Sequence, residues 1–339
     1  MPYRIVNQLT VDDSKVHGDW RDELFQNGYV VVKNAILPER CEYYIDKMFQ
    51  WLESFPLGFD RNNRLTWTEQ HLPTHIRGGG GGGMYHGYRI QHEKFIWEAR
   101  TEDGVIEAFA KLWGTDKLLV SFDGMNFTLP SGTTLPQTQP WPHIDQSPLR
   151  EGMQCVQGIL NFAPNGPQDG GLLVIKGIHK AYTHSGTIGR ETWGPSDWFG
   201  FDEGEVKWFQ ERGCEIHKVT AEAGDLILWD SRTMHFNCVP STQNVRAVVY
   251  ACYTPASFAT ADILKQKGEP FDQRIGTTHW PHDNLFTETS DEHCPEEEEE
   301  EEGDLTKRLN EVPIETDLVL KLAGKIPYET FDFRSSARS

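Results

Sequence analysis

Nowhere in this sequence do two cysteines stand as C-x-x-C; the six present (Cys41, Cys155, Cys214, Cys238, Cys252 and Cys294) lie far apart. That scatter argues against structural zinc and against a disulfide framework, and predicts buried free thiols in a reducing compartment. Long apolar runs are absent too. No stretch approaches the ~20 residues of a membrane span, and the opening MPYRIVNQLTVDD has no apolar signal-peptide core. The final ARS does not read as a peroxisomal address. Together these absences predict a soluble, cytoplasmic protein. Positive charge is also scarce: 32 Lys and Arg face 51 Asp and Glu, for a formal net charge of −19. With no basic stripe, neither nucleic acid nor an anionic membrane is an expected partner. Part of that acidity is local, because residues 296–302 are seven consecutive glutamates, read as a solvated loop.

Aromatic residues, by contrast, are plentiful. Eleven Trp, 18 Phe and 10 Tyr, with hydrophobic residues at 37%, suffice for a sizeable core, so global disorder is excluded. VHGDWRDELFQNG has helical spacing and a Gly28 stop, YVVVKNAI reads as a strand, and PERCEYYIDKMFQWLESF reads as a helix opened by Pro38. From about residue 117 short β-rich runs follow one another between turn signals: KLLVSFDGMNFTL, CVQGILNF, GGLLVIKG, DLILWD and VRAVVYACY. The expected class is therefore mainly β with flanking helices, a sandwich or jelly roll. Six glycines at 78–83 match G-x-G-x-x-G only formally. No apolar strand feeds them and MYHGYR opens no helix, so they read as a flexible loop rather than a dinucleotide site. Residues 183–213, rich in Trp and Phe, are either a lid or an insertion with its own small core.

The chemistry concentrates in PWPHIDQSP, residues 140–148. In extended backbone, positions i and i+2 share a side, so His143 and Asp145 can reach one point. An imidazole with a carboxylate suits iron or manganese better than a soft metal. Alone the pattern is weak: His17 and Asp19 form another inside a helical segment, where i and i+2 diverge, and that pair is assigned to solvent. In GDLILWDSRTMHF a turn leads into a buried strand and His235 falls just past its end, a place where binding groups gather. Arg246, eleven residues on, opens the otherwise apolar AVVYACY, and its guanidinium is costly to bury without a carboxylate. His179, His184 and His217 compete with His235 as ligands, Trp141 reads as a rim aromatic, and His179 as a turn-ordering residue.

The HxD pair, a distal His after a G-D-L-x-x-W strand and an Arg eleven positions later resemble the iron(II)/2-oxoglutarate dioxygenases. QDGGLLVIKGIH, residues 168–179, is similar to the N-G-x-L-x-V-x-P-G-S-H element of their phytanoyl-CoA dioxygenase-like branch. Lys176 and Ile178 depart from that pattern at its Pro and Ser, and Leu172 stands where some members have a threonine. The resemblance spans residues 20–255 and implies a double-stranded β-helix with helices packed outside. On it, 1–339 is a single catalytic domain: 15–115 an N-terminal decoration, 116–260 the core with the 183–213 insertion, and 261–339 a C-terminal extension. It implies that His143, Asp145 and His235 hold iron(II) and that Arg246 grips the distal carboxylate of 2-oxoglutarate, with Asn126 as a further co-substrate contact. It further implies that dioxygen takes an open position and that 2-oxoglutarate is decarboxylated to succinate as a small organic metabolite is oxidised, by default hydroxylated, with desaturation, ring formation and epoxidation left open. The related halogenases lack the carboxylate that Asp145 supplies, so halogenation is not expected. Two other readings stay open: a cupin-like metalloenzyme that does not use 2-oxoglutarate, in which Arg246 would pair internally, and a non-catalytic β-helix binding protein.

Overall fold

The computed structural model describes residues 15–76, 82–130, 141–150, 152–181, 196–285 and 309–328. Helix α1 (Trp20–Asn27) starts where the Asp19 side chain accepts from the Arg21 N–H and stops at Gly28, whose left-handed φ of 83° ends the helix. Only glycine fits there: a Cβ would stand 2.3 Å from Thr233 Oγ1. The first HxD pair therefore caps a helix rather than facing solvent. Strand β1 (Tyr29–Val32) leads to α2 (Pro38–Glu53), which buries Cys41, Tyr44, Met48, Trp51 and Leu52, the face its apolar spacing predicts. Then come β2 (Met84–Tyr85), α3 (Lys94–Arg100) and α4 (Asp103–Trp113).

The β-rich region supplies β3 (Leu118–Val120), β4 (Met125–Thr128), β5 (His143–Ile144), β6 (Val156–Asn161) and β7 (Gly171–Ile175). After α5 (Ile178–Ala181) follow β8 (Phe199–Gly200), α6 (Glu203–Gln210), β9 (Ile216–Lys218), β10 (Leu226–Asp230), β11 (His235–Cys238), β12 (Arg246–Tyr250) and β13 (Tyr253–Pro255). Helices α7 (Ala261–Gln273) and α8 (Asp317–Leu322) complete the elements. The main sheet runs β1-β10-β6-β12-β4-β2 and the facing one β8-β5-β11-β7-β9, with every pairing antiparallel. This is a double-stranded β-helix. Its interior is packed by Tyr29, Ile159, Trp229 and Val248 from the main sheet and Leu172 and Val174 from the other. Ala247 and Val249, alternating with Val248, turn outward into the larger core shared with α2 and α4.

Strand β1 lies inside this frame rather than beside it. YVVV is one edge of the six-stranded sheet, paired with β10 through Tyr29↔Trp229 and Val32↔Leu226. The 183–213 segment falls outside the described residues up to 195. From Phe199 to Gln210 it forms β8 and α6, and Phe201 and Phe209 pack on Ile144 of β5 and Ile175 of β7 in a cluster apart from the main core. Of the glycine run, Gly82 and Gly83 are described: Gly83 accepts from the Phe127 N–H at 2.7 Å, and a Cβ on it would meet Phe127 O at 2.5 Å. Glycines 78–81, the glutamate run, His184 and Cys294 lie outside the described residues. The other five cysteines are free. No helix among the described residues is long and apolar enough to cross a membrane.

Two buried histidines give the fold an acid limit. His92 donates Nε2–H to the Ile275 carbonyl (2.9 Å) while Nδ1 accepts from the Trp97 indole (3.4 Å). Burial holds its imidazole well below the ordinary range. Burial also pushes His282 down to about 4. A base whose pKa is lowered on folding stabilises the protein above its unfolded pKa, near 6.5, and loses that contribution as pH falls towards the folded value. For His282 the loss is on the order of 3 kcal/mol. Denaturant midpoints are therefore expected to fall between pH 6.5 and 4, and to fall less in His282→Gln; a level wild-type midpoint over that range would refute the assignment.

Candidate metal centre

Strand pairing builds the centre. His235, first residue of β11, stands directly opposite His143, first residue of β5. Both imidazoles therefore leave the same face of the sheet, with ring centroids 4.3 Å apart. Asp145 follows His143 by two positions, its N–H donating to the Ser231 carbonyl at 2.9 Å. Its Oδ2 lies 3.7 Å from His143 Nε2 and 3.2 Å from His235 Nε2. Among the described residues, this is the one group of three or more His, Cys, Asp or Glu side chains converging closely enough to share an ion.

The surroundings set the chemistry of these atoms. His143 Nδ1 is 3.0 Å from the Trp141 carbonyl, and His235 Nδ1 is 3.0 Å from the Thr233 carbonyl. A carbonyl only accepts, so both protons sit on Nδ1 and both Nε2 lone pairs face the centre, as metal-ligating histidines require. Burial, aided by His235, pushes the His143 imidazole down to about 4, against the pull of Asp145. Burial alone would raise the Asp145 carboxyl, but the imidazoles of His143, His279 and His235 outweigh it and hold it well below the usual carboxylate range. Near neutral pH the His143 imidazole is therefore neutral and Asp145 is a carboxylate, beside the Nε2 of His235. That donor set suits a six-coordinate iron(II) with positions left open.

Gln157 on β6 donates its amide to Asp145 Oδ2 at 2.7 Å and so fixes which way the carboxylate turns. Gln157→Leu is expected to lower iron affinity or turnover roughly 10- to 100-fold, with little change in thermal stability. A metal titration matching wild type would show that the carboxylate is oriented without it.

Arg246 opens β12 with its side chain on the barrel's inner face, where Val248 and Tyr250 follow at alternate positions. It is 9% exposed, and among the described residues it forms no ion pair. Its Nε passes 3.0 Å from where a Cβ on Gly171 would stand, which explains a glycine in the QDGGLLV turn. Between Arg246 and the metal centre stand Leu172 and Asn237, directly opposite each other on β7 and β11. Asn126 shares the inner face, opposite Val248, but its amide is engaged: Nδ2 donates to the Gly82 carbonyl (3.1 Å) and Oδ1 accepts from Thr128 (2.8 Å). It does not line the cavity. His179 bonds the Phe25 carbonyl and His217 packs on Tyr29, both outside the centre.

The family model for phytanoyl-CoA dioxygenase (PhyH) matches residues 24–237, more than half of the sequence. The chain belongs to that family. Its members are non-haem iron- and 2-oxoglutarate-dependent enzymes, and this chain is an oxygenase of that class. The match ends short of Arg246, so the place of that residue rests on the geometry above. "Ava biosynthesis cluster protein O" of Aspergillus versicolor is 45% identical over 273 residues, covering 78% of this chain and 87% of the relative. The fold is shared with the product of GlcNAc-inducible gene 2 of Candida albicans, at 14% identity and a TM-score of 0.63 over 95% of this chain and 79% of that one. The epimerase SnoN, solved with Fe3+, alpha-ketoglutarate and nogalamycin RO, aligns at 16% identity and a TM-score of 0.48 over 69% of this chain and 82% of that one.

The centre opens into a cavity of about 630 Å³. Trp141 stacks on His143 at 4.3 Å between centroids, and Trp198 lies over the same imidazole at 6.0 Å. A clasp holds the rim. Arg150 binds both oxygens of Asp197 at 2.7 Å and Asp283 at 2.8 Å, while Asn284 donates to Asp197 at 2.7 Å. It joins the loop after Asp145 to two distant segments that carry cavity residues Trp198 and Trp280. Gln157, Asn237, Tyr250 and Trp280 went unnoticed in the sequence. Only Asn237 carried a signal there, lying two positions past His235 and hence on its face.

Proposed function

We propose that this enzyme oxidises, by hydroxylation, a small organic metabolite within a biosynthetic route, coupling each turnover to decarboxylation of 2-oxoglutarate to succinate. The observation that carries the assignment is one barrel interior holding the His143/Asp145/His235 cluster and, past Leu172 and Asn237, the guanidinium of Arg246, which forms no ion pair among the described residues. The kinship with a biosynthesis cluster protein supports a metabolite as the substrate.

Iron(II) bound by His143, Asp145 and His235 would supply the dioxygen-activating chemistry of the family. The chain's own residues do the rest. The Trp141 and Thr233 carbonyls hold the Nδ1 protons, so both Nε2 atoms remain available to the metal. Gln157 aims Asp145. Arg246 binds the far carboxylate of 2-oxoglutarate through a charge-assisted pair, and Asn237 offers an amide alongside. The apolar surfaces of Leu172 and Ile159 exclude water from the space between. Anaerobic titration with iron(II) and then 2-oxoglutarate tests the assignment. A visible charge-transfer band is expected on adding the co-substrate; iron binding without that band would favour a metalloenzyme that does not use it.

A further inference from the structure

The cavity wall beyond the metal centre has a composition that bears on what enters it. Among the described residues it holds the carboxylates of Asp123, Asp145 and Asp197 and not one Lys or Arg. The Arg150 guanidinium is turned away onto Asp197 and Asp283 behind Trp280, 4.7 Å from that ring's centroid. With iron(II) and 2-oxoglutarate in place, the metal, Asp145, the dianion and Arg246 balance one another. Among the described residues the wall offers no Lys or Arg to a substrate anion, and burying an unpaired anion is strongly unfavourable.

Flat surfaces dominate the rest of the wall. Trp141 and Trp198, 36% and 53% exposed, stand at the mouth, and Trp280 is held by the clasp. Three polar atoms in that wall are buried and have no hydrogen-bond partner among the described residues: the Trp229 indole N–H, the Tyr250 hydroxyl and His279 Nε2. Trp229 is only 4% exposed, and its N–H can do nothing but donate. A buried donor left unmet is costly, so the wall calls for an acceptor on the bound molecule. Tyr250 lies four positions beyond Arg246 on the same face of β12, roughly 13 Å along the strand. Arg246 is not among the residues lining the cavity, so the acceptor-seeking wall around Tyr250 is well removed from the co-substrate's distal anchor.

Resting on the iron/2-oxoglutarate reading above, we propose that the substrate is a flat, ring-bearing molecule without negative charge, held between tryptophan faces with a carbonyl or similar acceptor directed at Trp229 and Tyr250. Carboxylic acids, phosphate esters and acyl-CoA thioesters are excluded from this wall despite the family's name.

The test uses the full chain loaded with zinc(II), which does not activate dioxygen, and 2-oxoglutarate. Ligand-observed saturation-transfer NMR then compares indole-3-acetamide with indole-3-acetate, which share a ring and differ in charge, and adds a long-chain acyl-CoA as competitor. The amide is expected to bind at least tenfold more tightly than the acetate, with no competition from the acyl-CoA. Tyr250→Phe, which keeps the ring, is expected to weaken the amide about fivefold. Equal or tighter binding of the acetate, displacement by the acyl-CoA, an unchanged amide affinity in Tyr250→Phe, or failure of both indoles to bind while 2-oxoglutarate does would overturn the proposal. Saturation transfer to 2-oxoglutarate, read in the same sample, tests the underlying reading separately; its absence would overturn that reading and this proposal with it.

Discussion

Asp145→Ala is expected to leave a folded protein that neither retains iron(II) nor consumes 2-oxoglutarate. The carboxylate contributes the single negative charge of the donor set, and two imidazoles alone form a poor cradle for a hard divalent ion. The fold does not depend on it, because the register placing His143 opposite His235 belongs to the backbone. The measurement is paired melting. Wild-type protein should gain stability with added iron(II) under anaerobic conditions, as any ligand specific to the native state requires. The variant should still melt cooperatively and show no gain with added iron(II). His235→Ala should likewise show no metal-induced gain, and full turnover in either variant would dismantle the ligand set.

Arg246→Ala is expected to raise the KM for 2-oxoglutarate roughly ten- to a hundredfold, because a hydrogen bond to a charged group is worth about 1.5–3 kcal/mol. Since that contact is distant from the reacting atoms, kcat should change far less than kcat/KM. Arg246→Lys should recover only part of the loss, because an ammonium keeps the charge but not the planar fork. Gly171→Ala probes the same contact from the other side: its methyl would stand 3.0 Å from Arg246 Nε on a backbone with φ of 118°, displacing the guanidinium without touching its charge. An unchanged KM in both Arg246→Ala and Gly171→Ala would assign this arginine elsewhere.

Much of the frame was legible before any coordinates. Apolar spacing in PERCEYYIDKMFQWLE matched the buried face of α2, and the β-rich runs from residue 117 became strands of the barrel. Legibility failed where the relevant partner is remote in sequence. YVVV looked like part of a flanking decoration because nothing local reveals its pairing with LILW of β10. Asn126 looked available because its bonds to Gly82 and Thr128 are set by where the end of the glycine run settles against β4. In the 183–213 segment, nothing local shows that Phe201 and Phe209 pack on Ile144 and Ile175 of the barrel.

Local pattern alone determined the kinds of atoms this protein offers to chemistry: an imidazole and a carboxylate two positions apart, a second imidazole past a buried strand, and an arginine opening another. Such patterns register which residues share a face, because side-chain direction follows backbone period. The tertiary structure decided which faces meet. Pairing of β5 with β11 set His143 against His235, β6 brought Gln157 to Asp145, and closure of the two sheets left Arg246 inside the barrel with no carboxylate partner among the described residues. Strand register and sheet closure are contacts between distant segments, fixed by burial of the whole core rather than by any residue's neighbours in the chain.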